Sequence, residues 1–171
     1  MNWKVLLIGL ALVAGLTAML ASGFGKDPKA LPSVLEGREA PGFELQTLDG
    51  EILRLEDLRG SPVVINFWAT WCRPCLQEHP ILLEAAKRYQ PRGVIFCGVA
   101  YADDEDKVRA YLERHGSAYP NALDATDRTA IDYGVGGVPE TFFIDREGKI
   151  VRKISGPVDQ ATMQGTLEEL L

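Results

Sequence analysis

Cysteine and histidine are scarce here: the 171 residues include three of the first and two of the second. Three cysteines cannot build a disulfide scaffold once two form a close pair, because only Cys97 is left over. The histidines, His79 and His115, do not complete a zinc site, since Cys72, Cys75 and His79 would still need a remote fourth ligand. No metal and no other cofactor is therefore expected. Leu76 rather than a histidine follows Cys75, which excludes covalent haem attachment at the pair. Basic clusters are missing as well: the net charge is −6 and no Lys/Arg block or stripe occurs, so no nucleic-acid partner is expected. There is no internal repeat and no low-complexity tract.

One long uncharged run is present. Val5 to Phe24 is apolar or small throughout and, at about 20 residues, long enough to span a bilayer as a helix. A cleaved signal peptide competes with an uncleaved anchor, and Ala21-Ser22-Gly23 offers small residues of the right kind. A signal core is usually only about 7–15 residues, which favours the anchor. Phe24 stands where a lipoprotein would need its acylated cysteine. Lys4 precedes the run while Lys26 and Lys29 follow it, so flanking charge does not orient it. The expected division is an anchor or signal segment over 1–25, a linker over 26–37 containing Pro28 and Pro32, and one domain over 38–171. Either reading of the run exports that domain.

The domain is organised around Val63 to Pro80, VVINFWATWCRPCLQEHP. Val63, Val64, Ile65, Phe67 and Trp68 predict a strand buried on both faces. Ala69, Thr70 and Trp71 form a turn, and Cys72 and Cys75 fall in the first turn of a helix. Ile81, Leu82, Ala85, Ala86 and Tyr89 continue that helix, with Pro80 expected to interrupt and kink it. Upstream, Phe43 to Leu48 and Ile52 to Leu55 predict a hairpin closed at Asp49-Gly50. Downstream come a strand over 93–100, a helix from Asp103-Asp104-Glu105 to His115-Gly116 and a short helix over 128–133. A strand pair over 141–144 and 150–154 and a closing helix over 161–171 follow. The order β-α-β-α-β-β-α behind a hairpin implies an α/β fold with a central mixed sheet and helices on both faces.

A helix N-terminus stabilises a thiolate, lowering its pKa below the free value of about 8.5. Cys72, at the outer edge, is expected to be the exposed nucleophile, and Cys75 the buried resolving thiol. Arg73 adds positive charge near the thiolate, and Pro74 has no N–H to give the Cys72 sulfur. Asn66, six residues before Cys72, leaves no carboxylate in the strand to take the Cys75 proton. Glu78, one turn beyond Cys75, and Glu140 are the alternatives. Cys97, mid-strand, reads as a packed small hydrophobe, and His79 as a helix-face histidine. Trp68 and Trp71 are mainly packing residues, with Trp71 also a candidate for lining a partner groove.

Val135 to Glu140, VGGVPE, is the second stretch with chemistry: Val138-Pro139 must start a strand, because proline cannot donate inside one. WCRPC after a buried strand, Pro80 five residues past the second cysteine, and a late Val-Pro together resemble the thioredoxin fold. In that family the late proline is cis, lies against the CxxC pair and shapes the partner groove. NFWATWCRPCLQEHP and YGVGGVPETFFID are more closely similar to the membrane-anchored thiol:disulfide interchange proteins of cytochrome c maturation (the CcmG/DsbE type). Gly134, Val135, Gly137, Pro139, Glu140 and Thr141 match that group's GVxGxPET signature, and Asn66 agrees with the group where thioredoxin has Asp.

The resemblance implies a redox-active Cys72–Cys75 disulfide, with Cys72 as nucleophile and Cys75 as resolver. Glu78 and Glu140 would act as tuners, and Trp71, Arg73, Pro74, Val138 and Pro139 as the partner groove. It implies a single-pass protein of the inner membrane with a periplasmic domain, reducing apocytochrome c haem-site cysteines or a thiol protein that serves them. A membrane thiol reductase would be its electron donor. A general extracytoplasmic reductant with another client and a non-enzymatic metal-delivery module remain as alternatives.

Overall fold

A computed structural model describes residues 2–23 and 35–171, and the chain divides into two compact units, Met1–Leu31 and Pro32–Leu171. Residues 26–34 of the expected linker, Pro28 and Pro32 included, lie outside the described residues. The first unit holds α1 (Trp3–Gly23). Its stretch Trp3–Ala21 has a mean hydropathy of 2.2 and is long and apolar enough to cross a membrane, a property that signal sequences share. The hydroxyl of Thr17 bonds back to the carbonyls of Val13 and Ala14, at 2.9 and 3.0 Å, so the helix carries it without an idle donor.

The second unit begins with a short antiparallel hairpin, β1 (Glu44–Gln46) and β2 (Ile52–Arg54). The main sheet comprises β3 (Val63–Trp68), β4 (Ile95–Tyr101), β5 (Asn121–Asp124), β6 (Glu140–Ile144) and β7 (Ile150–Ser155), in the order β5-β4-β3-β6-β7. β3 runs parallel to β4 and antiparallel to β6, so the sheet is mixed. Four further helices are α2 (Arg73–Tyr89), α3 (Glu105–His115), α4 (Arg128–Asp132) and α5 (Gln160–Leu170). The fold is thioredoxin-like.

Strand periodicity divides the core. Val63, Ile65 and Phe67 of β3 face a cluster with Phe43, Tyr133 and Phe142, on the side of the hairpin and α4. Val64 faces the opposite cluster, with Leu82, Ala86 and Tyr89 of α2 and Met163 and Leu167 of α5. The same alternation turns Asn66 and Trp68 toward the helices on that second face. Asp104 caps α3 by accepting from Asp106 N–H and Lys107 N–H, as the acidic run predicts.

Two readings need correction. β5 is absent from the sequence-based order, because Asn-Ala-Leu-Asp is short, half polar and preceded by Pro120. It forms because β4 offers an open edge, and it is in turn bridged by the hairpin through Thr47 and Ala122. Pro80 does not interrupt α2, which is continuous from Arg73 to Tyr89. Pro80 and Leu76 both lie on the exposed face, so the Leu76 carbonyl that loses its helical donor can turn to water.

Candidate active site

β3 delivers the chain through Ala69, Thr70 and Trp71 to Cys72, which is the N-cap of α2. The Cys72 sulfur accepts the Cys75 backbone N–H at 3.1 Å, the bond that Pro74 is unable to make. Cys72 and Cys75 form a disulfide, with Cα atoms 5.3 Å apart. Arg73 and Pro74 project into solvent between them.

The expectation of an exposed Cys72 fails in this oxidised form: Cys72 is 5% exposed and Cys75 3%. The disulfide holds the Cys72 sulfur over the first turn of α2. There both sulfurs join Trp68, Ala69, Ala100 and Val108, with Val138 packed against them. What faces solvent beside Cys72 is Trp71, 60% exposed, its indole N–H donating to the Ala102 carbonyl at 3.0 Å.

Glu78 is not a solvated helix residue. It follows Cys75 by three positions on the buried face of α2 and is 1% exposed. Asn66 donates its side-chain N–H to Glu78 Oε1 at 2.8 Å and to Thr141 Oγ1 at 3.0 Å. The Val158 backbone N–H donates to Glu78 Oε2 at 2.8 Å. Burial pushes the Glu78 carboxyl up to about 7, against the two hydrogen bonds that favour its charged form. A carboxyl poised there can take and return a proton near neutral pH.

Glu140, the first residue of β6, is also buried, but Lys153 of β7 places its ammonium 2.8 Å from Oε2. Glu140 therefore presents an ion-paired carboxylate rather than a bare negative charge. Lys153 also donates to the Gly134 carbonyl at 3.1 Å, which ties β7 to the glycine loop. The Val138–Pro139 bond is cis. Pro139 is buried, its carbonyl accepts the Gly156 N–H at 2.8 Å, and its neighbour Val138 is the residue that meets the cysteine cluster.

Asn66, Lys153 and the Val158 N–H are site groups that sequence reasoning assigned no contact. The even-numbered face of β3 carried the only signal for Asn66, and nothing local marked the others. Cys97 is fully buried, and burial pushes its thiol up to about 12, which leaves it inert. His79 is buried with Nε2 2.9 Å from the Gly116 carbonyl, and burial lowers its pKa. Trp68 donates its indole N–H to Asn121 Oδ1 at 3.1 Å across Gly98, where a Cβ would collide with that oxygen.

A buried disulfide at a helix N-terminus, facing a cis-proline loop in this sheet, defines a thioredoxin-like thiol–disulfide oxidoreductase. Residues 37–153 match the AhpC/TSA family. The chain is 38% identical over 178 residues to a thiol:disulfide interchange protein DsbE of Vibrio cholerae, with 99% of this chain and 95% of that protein covered. It is 32% identical over 166 residues to a thiol-disulfide oxidoreductase ResA of Bacillus anthracis, covering 97% and 93%. Among solved structures it resembles a putative DsbE from Chlorobium tepidum, with a TM-score of 0.73 and 30% identity, covering 77% of this chain and 94% of that one. The chain belongs to the AhpC/TSA family and, within it, to the thiol:disulfide interchange proteins of the DsbE and ResA type.

Proposed function

We propose that this oxidoreductase is a membrane-anchored reductant working outside the cytoplasm, whose client is the haem-site disulfide of apocytochrome c or a thiol protein serving it. The observation that carries the reading is the Cys72–Cys75 disulfide at the N-cap of α2, in a buried cluster against which Val138 of the cis-proline loop packs. In the reduced form Cys72 is the nucleophile. Its thiolate attacks one sulfur of the client disulfide, the client S–S bond breaks, the other client sulfur leaves as a thiolate, and a mixed disulfide forms. Cys75 gives its proton to Glu78 and attacks the Cys72 sulfur. That closes the Cys72–Cys75 bond and expels the attacked client sulfur as the second client thiolate, so two electrons pass to the client. No cofactor is needed, because the sulfur pair stores both electrons.

Trp71, Arg73, Pro74, Val138 and Pro139 line the groove for the client chain. Glu78 is the proton acceptor, and the Glu140–Lys153 pair fixes the loop that carries Pro139. α1 anchors the chain in the inner membrane, residues 26–37 link it to the domain over 38–171, and a membrane thiol reductase restores the dithiol. The length and apolarity of Trp3–Ala21 support the anchor.

The test is to express the full chain with Cys75→Ala in its own membrane and identify what it captures. Without the resolving thiol, the mixed disulfide should accumulate and contain an apocytochrome c or a haem-assembly thiol protein. Capture of unrelated disulfide proteins alone overturns the client assignment and leaves the exchange chemistry standing.

A further inference from the structure

The turn that presents Trp71 is gripped by a loop that the exchange chemistry does not use. Ala102, Asp103 and Asp104 connect β4 to α3. Asp103 holds Thr70 twice: the Thr70 backbone N–H donates to Oδ2 at 2.5 Å, and its hydroxyl donates to Oδ1 at 3.0 Å. The Asp104 N–H donates to the same Oδ1 at 2.8 Å, which fixes the carboxylate. One residue earlier, the Ala102 carbonyl receives the Trp71 indole N–H. Ala102 lies at φ +48°, a left-handed conformation costly for a residue with a Cβ. Its N–H donates to Asp127 Oδ1 at 3.2 Å, and Asp127 itself sits at φ +55°. Linked strain of this kind persists only where the surroundings over-determine it, and it clusters at functional sites.

We propose that the Ala102–Asp103 loop is a latch that pre-orients Trp71 as an aromatic anchor for the client chain, with Asp103 and Thr70 as positioning residues. A mostly exposed indole with a free N–H would sample several rotamers, and ordering it on binding would cost conformational entropy. Here both its backbone neighbour and its N–H are already tied, so the ring meets the client in place. Tryptophan is also the residue type over-represented among the few that dominate binding energy at interfaces. Trp71 adjoins Cys72, so the ring's position governs which chain can lie across the sulfur. The latch touches neither sulfur and acts only through Thr70 and Trp71. A disulfide too small to reach the indole gains nothing from it. The proposal rests on the reading of Trp71 as a groove wall.

The test uses the reduced full chain in detergent and two oxidised probes: a peptide carrying a Cys-X-X-Cys disulfide, and hydroxyethyl disulfide. Asp103→Ala and Thr70→Val should each lower the ratio of the peptide rate to the small-disulfide rate about tenfold, while Thr70→Ser, which keeps the hydroxyl, holds the ratio near that of the parent. Thr70→Val decides the matter if Asp103→Ala does not fold. If Trp71→Ala lowers the ratio but the latch variants do not, the latch is overturned and the groove reading stands. If the ratio moves in none of them, the groove reading fails and takes the latch with it.

Discussion

Replacing Cys72 with serine lowers thiol–disulfide exchange by at least about 10³-fold, a loss of about 4 kcal/mol of transition-state stabilisation. A serine hydroxyl at the N-cap of α2 has no ionised form at neutral pH and cannot open a disulfide. Cys75→Ala behaves differently: the first attack proceeds within about tenfold of the parent rate, and the product stalls as a mixed disulfide. The asymmetry follows from position. Cys72 borders the exposed Trp71, Arg73 and Pro74, whereas Cys75 lies inside the first turn against the core. Stopped-flow exchange with a peptide disulfide measures both variants. A Cys72→Ser protein that still traps mixed disulfides through Cys75 reverses the assignment.

Glu78 gives the second large effect, and it appears in the pH dependence of stability. Its carboxyl ordinarily titrates at 4.5 and is pushed up to about 7 in the folded chain, mainly by burial. Between those values the folded protein binds a proton that the unfolded chain does not, so stability falls as pH rises. The group's contribution is fully present below about 4.5 and is lost as pH climbs through about 7, an interval corresponding to about 3 kcal/mol. Urea unfolding of the oxidised protein at several pH values across this window measures it. Glu78→Gln, which cannot titrate, should remove that part of the slope while lowering stability overall, because Asn66 and Val158 donate to different carboxylate oxygens and the amide turns an NH2 toward one of them. Equal slopes in parent and variant across the window contradict a carboxyl held protonated by burial.

The sequence disclosed those parts of the molecule whose signal is local. Val63 to Trp68 is apolar enough to be read as a central strand, and CxxC at a helix start carries its chemistry within four positions. Asp104 announces α3, and Asp49-Gly50 announces the hairpin. What stayed hidden depends on partners far along the chain. Glu78 looks like any helix-surface glutamate until Asn66 and Val158, 12 and 80 positions away, are folded onto it. Glu140 reads as a free charge until β7 pairs with β6 and brings Lys153 across. Cys72 looks exposed from its place at the helix edge, and it is buried in a cluster with Trp68, Ala69, Ala100 and Val108 that distant segments assemble. β5 depends on an edge of β4 that no window of four residues can reveal. The resemblance to thioredoxin-like reductants supplied the cis-proline, because an isolated Val-Pro carries only a prior of about 5–6%.

A reductant needs a disulfide that is more stable than its client's. When ionised, the buried Glu78 carboxyl, on the same helix face as Cys75, opposes a second negative charge nearby and so favours the disulfide over the thiolate form. Arg73 and the helix N-terminus act in the opposite sense, and each 30 mV of the balance is worth about 1.4 kcal/mol. The most direct measurement is the reduction potential of the Cys72–Cys75 pair, with the full chain in detergent equilibrated against graded thiol–disulfide buffers. A value of about −200 mV or lower, in the range of glutaredoxins and thioredoxin, is the predicted result. A value near −120 mV, where the strong oxidant DsbA lies, contradicts a reductant, and the site would then make disulfides rather than remove them.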